Sequence, residues 1–416
     1  MTKSKTYDNG LRLIVNKVEG LFSVTLGVLV KTGSKNETEK QNGISHYIEH
    51  MMFKGTPTRS SFDISDQIDR IGAQINAFTS KEITCYYTKS TKEHFAESAE
   101  ILSDIFFNST FDEKEGEKEK GVVIEEINMC DDTPEDICLD LLAKSYYGER
   151  GLGQTILGSA KNVSSFTRED IKAYMDEYYQ PENIVISVAG SVDFDEAEVI
   201  IGKLFADNFK NAKKAKQGYF NTEFYTENLI KIKNIEQAHL ALCMPSYSVT
   251  SDKNSSLSIL NTVFGGGMSS RLFQKIREEL GLAYSVYSYL SQYEKSGVLE
   301  IYAGVNPAKR DLAFGSIIDE INLLNKEGIT NQEFLRGKEQ VKSAFIMSQE
   351  STASLMLLFG KRMLFFNEIF DFERKIADIN ACTLDSVNDC IKDCFNLSKA
   401  SCCTVGRKRS KLKFNP

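Results

Sequence analysis

The sequence is poor in histidine and has no excess of basic charge: only four of its 416 residues are histidine, and its formal net charge is −8. Nucleic-acid-binding proteins carry a basic domain or stripe, so this charge argues against a nucleic-acid partner. No apolar run approaches the roughly 20 residues that a bilayer-spanning helix needs. The N-terminus also lacks the apolar core of a signal peptide. These absences predict a cytoplasmic protein without a nucleic-acid partner or a membrane partner.

The nine cysteines include no CxxC pair, and their number is odd. Most of them lie in apolar stretches, which favours free, buried thiols in a reducing compartment. Cys390 and Cys394 share one face of a predicted helix, but no histidine lies near them in sequence. We therefore do not interpret the cysteines as a metal site.

The two halves of the chain resemble each other. Strand-like and helix-like segments alternate in the same order in both halves. Residues 163–190 align without a gap with residues 379–406, and their apolar patterns match. We predict an α+β protein of two tandem homologous domains, each a mostly antiparallel sheet packed with helices. The expected boundaries are 1–208 for the first domain, 209–218 for a lysine-rich linker and 219–416 for the second domain.

Two of the four histidines occur in the motif HYIEH at residues 46–50. On an α-helix, His46 and His50 lie one turn apart and about 40° apart around the axis, so both imidazoles can reach one ion. Glu49 lies on the same face, where it can hold a water bound to that ion. The order HxxEH is the inverse of the HExxH zinc motif. Zinc suits two imidazoles and a carboxylate, so the motif predicts a zinc site that needs a third protein ligand.

The third ligand is expected on the helical segment around residues 113–130. Glu119 and Glu126 are seven residues apart and project from the side that carries the apolar stripe, whereas Glu125 points about 100° away. A carboxylate within an apolar stripe is costly unless a positive group meets it. We therefore predict Glu126 as the third ligand and Glu119 as its outer partner.

The second half of the chain provides an internal control. The segment that corresponds to HYIEH lies near LSILN, residues 257–261, and has neither a histidine nor an acid. The position that corresponds to Glu126 is about Ala344. Of the remaining histidines, His239 is expected to be structural and His94 exposed. Metal chemistry is therefore expected in the first half only.

Three separated motifs, HYIEHMMFKGT, INAFTSKEITCYY and GVVIEEI, closely resemble the pitrilysin/insulinase family of inverzincin metallopeptidases. The short chain most resembles bacterial relatives of the mitochondrial processing peptidase β-subunit, and the resemblance covers essentially its whole length. It implies a zinc-dependent endopeptidase that acts on peptides or unfolded precursor segments. Zinc would be held by His46, His50 and Glu126. Glu49 would be the general base, and Glu119 matches a second carboxylate that supports the zinc shell.

The resemblance also implies residues that bind substrate. Asn76, Ala77 and Phe78 fall on the edge strand to which a peptide adds as an extra strand. In the second half, Arg277 and Tyr284 match a pair that contacts substrate near the zinc. Tyr284 is expected to help stabilise the oxyanion of the tetrahedral intermediate.

Larger members of the family place four such domains in one chamber, so the resemblance implies that this two-domain chain dimerises. In a homodimer, the second domain of one copy would supply Arg277 and Tyr284 to the zinc of the other copy. Two alternatives stay open: an active subunit that requires a different, inactive partner chain, and a non-catalytic peptide-binding protein. The intact HxxEH motif argues against the last alternative, because inactive subunits typically lose it.

Overall fold

The computed structural model describes residues 2–209, 212–216, 218–221 and 223–413. The chain forms two units, and each takes a segment from the other half of the sequence. Unit 1 consists of Met1–Asn128, Thr155–Tyr219 and Met347–Phe370, and unit 2 consists of Met129–Gln154, Phe220–Ile346 and Asp371–Pro416. Of the expected linker, residues 210, 211 and 217 lie outside the described residues. The division of the chain at this linker stays a prediction.

Strands and helices alternate along the chain, as the sequence predicts. The strands are β1 Thr2–Thr6, β2 Arg12–Lys17, β3 Ser23–Val30, β4 Gln74–Thr79, β5 Thr84–Thr91, β6 Ile184–Gly190, β7 Asn228–Ile232, β8 Ala238–Ser246, β9 Ala283–Gln292, β10 Gly297–Val305 and β11 Ser401–Gly406. The α-helices are α1 Ile44–Met52, α2 Ser61–Arg70, α3 Phe95–Asn108, α4 Glu113–Asp132, α5 Pro134–Tyr147, α6 Ala160–Ser165, α7 Arg168–Tyr178, α8 Phe194–Leu204, α9 Asn254–Phe264, α10 Arg310–Glu327, α11 Asn331–Ser348, α12 Thr352–Phe366, α13 Phe372–Ala381 and α14 Leu384–Cys394. A π-helix spans Phe273–Glu279.

The sheet of unit 1 has the strand order β1-β2-β6-β3-β5-β4. Only β2 and β6 pair in parallel, and the other neighbours are antiparallel. Helix α12 packs on the sheet at β3 and β6, where the Ser187 hydroxyl donates a hydrogen bond to the carbonyl of Met356. Helix α12 can lie close to the sheet because Gly360 has no side chain: an added Cβ would lie 2.8 Å from Leu29 of β3. Central strands covered on both faces are buried along their whole length and mostly apolar, as β6 is here.

The sheet of unit 2 has the order β7-β11-β8-β10-β9, which repeats the order of unit 1 without an equivalent of β1. Again one pair, β7 and β11, is parallel and the rest are antiparallel. Helix α5 packs on β8 and β11, and the hydroxyl of Ser401 donates to the carbonyl of Ser145 at its C-terminal end. The predicted class, two α+β domains with mostly antiparallel sheets, is confirmed.

The repeat extends to the N-terminal caps of α7 and α14. Thr167 and Asp170 form a capping box at the start of α7, and Thr383 and Ser386 form one at the start of α14. The gapless alignment of the two halves places Thr167 opposite Thr383 and Asp170 opposite Ser386. The two helices therefore begin in the same register. Among the described residues, no helix combines the length and the apolar character that crossing a membrane requires.

Candidate metal centre

Helix α1, which carries the HYIEH motif, is fixed at its start by a buried carboxylate. Gly43 adopts a left-handed φ of 102°, and an added Cβ there would lie 2.5 Å from the carbonyl oxygen of Leu157. The Glu37 carboxylate accepts hydrogen bonds from the backbone N–H groups of Gly43, at 2.8 Å, and Ser45, at 2.9 Å. A carboxylate here satisfies free amide groups and faces the positive end of the helix. Sequence analysis did not identify Glu37, because its local sequence is that of an ordinary polar turn.

The structure brings together the three residues that the sequence predicts as zinc ligands. The Nε2 atoms of His46 and His50 lie 3.5 Å and 3.4 Å from the same carboxylate oxygen, Oε2 of Glu126. One donor atom from each residue lies within 4.8 Å of the other two, and this is the only such cluster in the described parts of the chain. Tetrahedral zinc with ligand bonds of about 2.0–2.1 Å separates its ligand atoms by about 3.3–3.4 Å. The donor types and their spacing therefore fit a zinc ion.

A second carboxylate orients His50 from the other side of the ring. His50 Nδ1 lies 2.8 Å from Oε1 of Glu119, and the other oxygen of Glu119 accepts from the ammonium group of Lys54 at 2.5 Å. Burial raises the pKa of Glu119, but the hydrogen bonds from His50 and Lys54 outweigh it and lower the pKa overall. An ionised Glu119 holds the proton of His50 on Nδ1, which leaves the Nε2 lone pair free to bind a metal.

His46 is prepared for a metal in a different way. Its side chain is buried, and within the described residues its Nδ1 atom has no hydrogen-bond partner. Burial, followed by the neighbouring His50, lowers the pKa of His46 to about 4. His46 is therefore neutral at neutral pH, which is the form that binds a metal.

The cluster has a surplus of negative charge that a cation would balance. Burial alone would lower the pKa of His50, but its hydrogen bond to Glu119 and the charges of Glu119, Glu126 and Glu49 raise it overall. Three carboxylates thus surround two imidazoles on one side of α1. A divalent cation bound between Glu126 and the imidazoles would offset this negative charge.

Glu49 is tied to the edge of the sheet. Its Oε2 atom accepts a hydrogen bond of 2.5 Å from the hydroxyl of Thr79, the last residue of β4. Burial raises the pKa of Glu49, and the bond from Thr79 offsets part of this rise. Sequence analysis did not identify Thr79, because its partner lies 30 residues away.

The three residues predicted to bind a peptide lie on β4. This strand is at the edge of the sheet of unit 1 and pairs with β5. Asn76 is exposed, and its side-chain oxygen accepts from the backbone N–H of Ala77 at 2.8 Å. Ala77 and Phe78 are half-buried. The edge position suits the addition of a strand, and the substrate role of Asn76, Ala77 and Phe78 stays a prediction.

Arg277 and Tyr284 belong to unit 2, where the structure brings them together. The Arg277 guanidinium lies over the rings of Phe273, at 4.7 Å, and Tyr284, at 5.2 Å. Tyr284 is 75% exposed at the start of β9, the edge strand of the unit 2 sheet. A cation over an aromatic face holds both side chains in place. Their role in substrate binding stays a prediction.

His239 and the cysteines are where the sequence places them, and His94 is less exposed than expected. His239 is buried and its Nδ1 lies 2.6 Å from the hydroxyl of Tyr302. His94, which the sequence predicts to be exposed, is half-buried and lies beside Glu97. The cysteines are free, and all except Cys130 are buried.

Comparison with known proteins identifies the family. Residues 15–160 match the model described as "Insulinase (Peptidase family M16)", and residues 165–341 match the model described as "Peptidase M16 inactive domain". The chain is 44% identical over 395 residues to the uncharacterized zinc protease YmxG of Bacillus subtilis, which covers 95% of this chain and 96% of the relative. It is 34% identical over 394 residues to an uncharacterized zinc protease of Streptomyces coelicolor, which covers 93% of this chain and 86% of the relative. The chain belongs to the M16, or insulinase, family of peptidases.

Solved structures agree with the family at the level of the fold. A protease from Helicobacter pylori superimposes with a TM-score of 0.89 at 23% identity, covering 98% of this chain and 99% of the other. A peptidase M16 inactive domain from Pseudomonas fluorescens superimposes with a TM-score of 0.90 at 18% identity, covering both chains completely. Since relatives are named zinc proteases and His46, His50 and Glu126 form a cluster that could bind a metal ion, zinc is the cofactor that fits this site.

Proposed function

We propose that this chain is a zinc-dependent endopeptidase that hydrolyses peptides or unfolded polypeptide segments. The observation that carries the proposal is the position of Glu49 on the same helix as His46 and His50, one residue before the second ligand. A metal cluster alone is compatible with a structural zinc site. Hydrolysis requires more than a metal: it also requires a carboxylate that lies beside the cluster and is not one of the three ligands.

The proposed roles follow from the contacts of each side chain. Zinc held by His46, His50 and Glu126 would supply Lewis-acid polarisation of the scissile carbonyl and would acidify a bound water. Glu49 accepts the proton of the attacking water on a carboxylate oxygen and returns it to the leaving amine. The raised pKa of Glu49 brings this group closer to the working pH of a general base. Glu119 keeps His50 in the tautomer that binds through Nε2.

The substrate is proposed to bind as an additional strand along β4. Backbone pairing at residues 76–78 places few demands on side chains, so selection would favour extended and unfolded polypeptides. Thr79 then connects the occupied strand to Glu49. We propose a homodimer in which Arg277 and Tyr284 from a second copy complete the site. A monomer with full peptidase activity would contradict this assembly.

Glu49→Gln separates catalysis from metal binding. The wild-type chain is expected to cleave a quenched-fluorescent peptide library. Loss of the general base should lower the cleavage rate by about 10²–10⁴-fold while the zinc content stays unchanged, because Glu49 is not a ligand. Glu39→Gln is the matched control, since Glu39 is exposed and precedes the same helix.

Two outcomes would contradict the proposal. Cleavage by Glu49→Gln at the wild-type rate would remove Glu49 from the mechanism. A zinc-loaded wild-type chain that cleaves no peptide would favour one of the alternatives, a subunit that needs a different partner chain or a peptide-binding protein. Activity recovered with a co-purified partner would then distinguish between those two.

A further inference from the structure

Unit 2 contains an acidic cavity that has no part in the proposed peptide hydrolysis. It is open to solvent, has a volume of about 560 Å³, and lies among α10, the π-helix and the start of α11. Five glutamates line it against one arginine and one lysine, so the cavity carries a net negative charge. Glu320 and Glu327 are seven residues apart on α10 and therefore lie on the same helix face.

Glu320 is the unusual member of this group. Glu320 as a whole residue is only 8% exposed. Its carboxylate lines the open cavity, and in the parts of the chain that the structure describes it has no hydrogen bond or ion pair. Burying an ionised carboxylate without a partner is costly, and buried charges in proteins are normally paired. Burial raises the pKa of Glu320, although the charges of Arg271 and Lys275 counteract it.

The two basic groups of the cavity are already engaged. Arg271 forms a bidentate pair with Glu333, at 2.7 Å and 2.8 Å, and also donates to the carbonyl of Gly328 at 2.8 Å. Lys275 pairs with Glu279. A bidentate arginine–carboxylate pair is strong and geometrically fixed, so Arg271 is not available to Glu320. The cavity thus contains a carboxylate, that of Glu320, with no hydrogen-bond donor from the described residues.

We propose that this cavity binds an organic cation, an alkylammonium or guanidinium group that pairs with Glu320. Among the described residues, the carboxylates here do not converge within the distances that a metal ion requires, since only the cluster in unit 1 does so. Spread-out acceptors suit a cation with several separated N–H donors. The cavity volume is within the range of small-molecule sites. The group could belong to a free diamine or to a basic side chain of a polypeptide.

The test is calorimetric titration of the full-length chain with agmatine, which carries both a guanidinium and an ammonium group. Glu320→Gln keeps the shape of the side chain and removes its charge, so the association constant should fall about tenfold or more. The variant should unfold at the same temperature as wild type or higher, because Glu320 makes no hydrogen bond or ion pair among the described residues that the substitution would remove. Glu236→Gln is the matched control: Glu236 is exposed in unit 2 and does not line the cavity.

Parallel titrations distinguish the sources of the cation. Binding of both agmatine and N-acetyl-arginine amide, weakened by Glu320→Gln, indicates a basic side chain, whereas binding of agmatine alone indicates a free diamine. Either result supports the proposal. Equal binding of agmatine to wild type and Glu320→Gln, or no binding at millimolar concentration, would overturn it. Tighter Glu320-dependent binding of Mg²⁺ than of agmatine would overturn the choice of an organic cation. None of these readouts requires peptidase activity, so the proposed function is tested separately.

Discussion

The two units have the same sheet order, yet one pair of packed helices differs between them in chemistry. In unit 1, Glu119 of α4 contacts His50 of α1 and Lys54, which follows four residues later, just beyond the end of α1. In unit 2, the corresponding position on α11 is Gly337. The architecture alone therefore does not define the candidate metal centre, which depends on side chains at one helix–helix contact.

In unit 2, the same helix–helix contact is formed by apolar side chains. An added Cβ on Gly337 would lie 2.9 Å from Val263 and 3.4 Å from the side chain of Ile259, two residues one turn apart on α9. Glycine lets the helices approach, and the residues facing it are buried. Where unit 1 places His50, a predicted metal ligand, beside charged groups, unit 2 packs apolar groups. The description of residues 165–341 as an inactive domain agrees with this difference.

These contacts also correct the alignment of the two helices. Tyr47 packs against Phe166 in unit 1, and Ser256 contacts Cys382, the repeat equivalent of Phe166, in unit 2. Aligning Tyr47 with Ser256 gives the same register between α1 and α9 as aligning the residues that contact Glu119 with those that contact Gly337. The sequence comparison expected the counterpart of HYIEH near 257–261, and the contacts place it two residues earlier. In either register, the segment of unit 2 that corresponds to HYIEH contains no histidine and no acidic residue.

Introducing a histidine into unit 2 should produce the largest change in stability. Ile259 is fully buried, and Ile259→His would place an imidazole in an apolar site. We expect the free energy of unfolding to fall by about 2–4 kcal/mol, measured as a shift in urea unfolding of the full chain. Ile259→Val is the control, with an expected loss of about 0.5–1.5 kcal/mol. If the two variants unfold alike, unit 2 tolerates the polar group and the contrast between the units is weaker than described.

Glu119→Gln should weaken the metal centre of unit 1 without removing a ligand. The amide cannot hold the proton of His50 on Nδ1 as the carboxylate does, so zinc affinity should fall by about 10–100-fold. Competition with a fluorescent chelator measures this affinity. Glu117→Gln changes an exposed neighbour on the same helix and should leave it unchanged. Equal affinities for both variants would mean that Glu119 does not support His50.

Thr79→Val should have the smallest effect. It removes the hydrogen bond to Glu49 and keeps the shape of the side chain. We expect kcat for peptide cleavage to fall about threefold to tenfold with KM nearly unchanged, as for the loss of one hydrogen bond. Thr6→Val, an exposed substitution on β1, is the control. A rise in KM with constant kcat would assign Thr79 to substrate binding instead.

Local spacing in the sequence predicts much of the site. Helical periodicity is a property of a few neighbouring residues, so it correctly groups His46 with His50, and Glu119 with Glu126, before the fold is known. The helix of Glu119 and Glu126 is expected to meet the helix of His46 and His50 because a carboxylate on an apolar stripe is costly unless a positive group meets it. The structure then brings Glu119 and Glu126 to opposite nitrogens of the same imidazole, that of His50.

The remaining features depend on long-range contacts. Glu37 and Thr79 meet α1 through turns and an edge strand that have ordinary polar sequences. The exchange of α5 and α12 between units leaves no local trace either, because an amphipathic helix has the same pattern whichever sheet it covers. Strand β1 is short and polar, so its alternation does not distinguish it from a loop.

The most direct test of the account is the zinc content of the purified full-length chain, measured by inductively coupled plasma mass spectrometry. The wild-type chain should bind one zinc ion, and His46→Ala should bind none, because unit 1 alone has the ligands among the described residues. His94→Ala, at a histidine outside the cluster, should still bind one. Two zinc ions in the wild-type chain, or an unchanged content in His46→Ala, would contradict the assignment of the metal centre to unit 1.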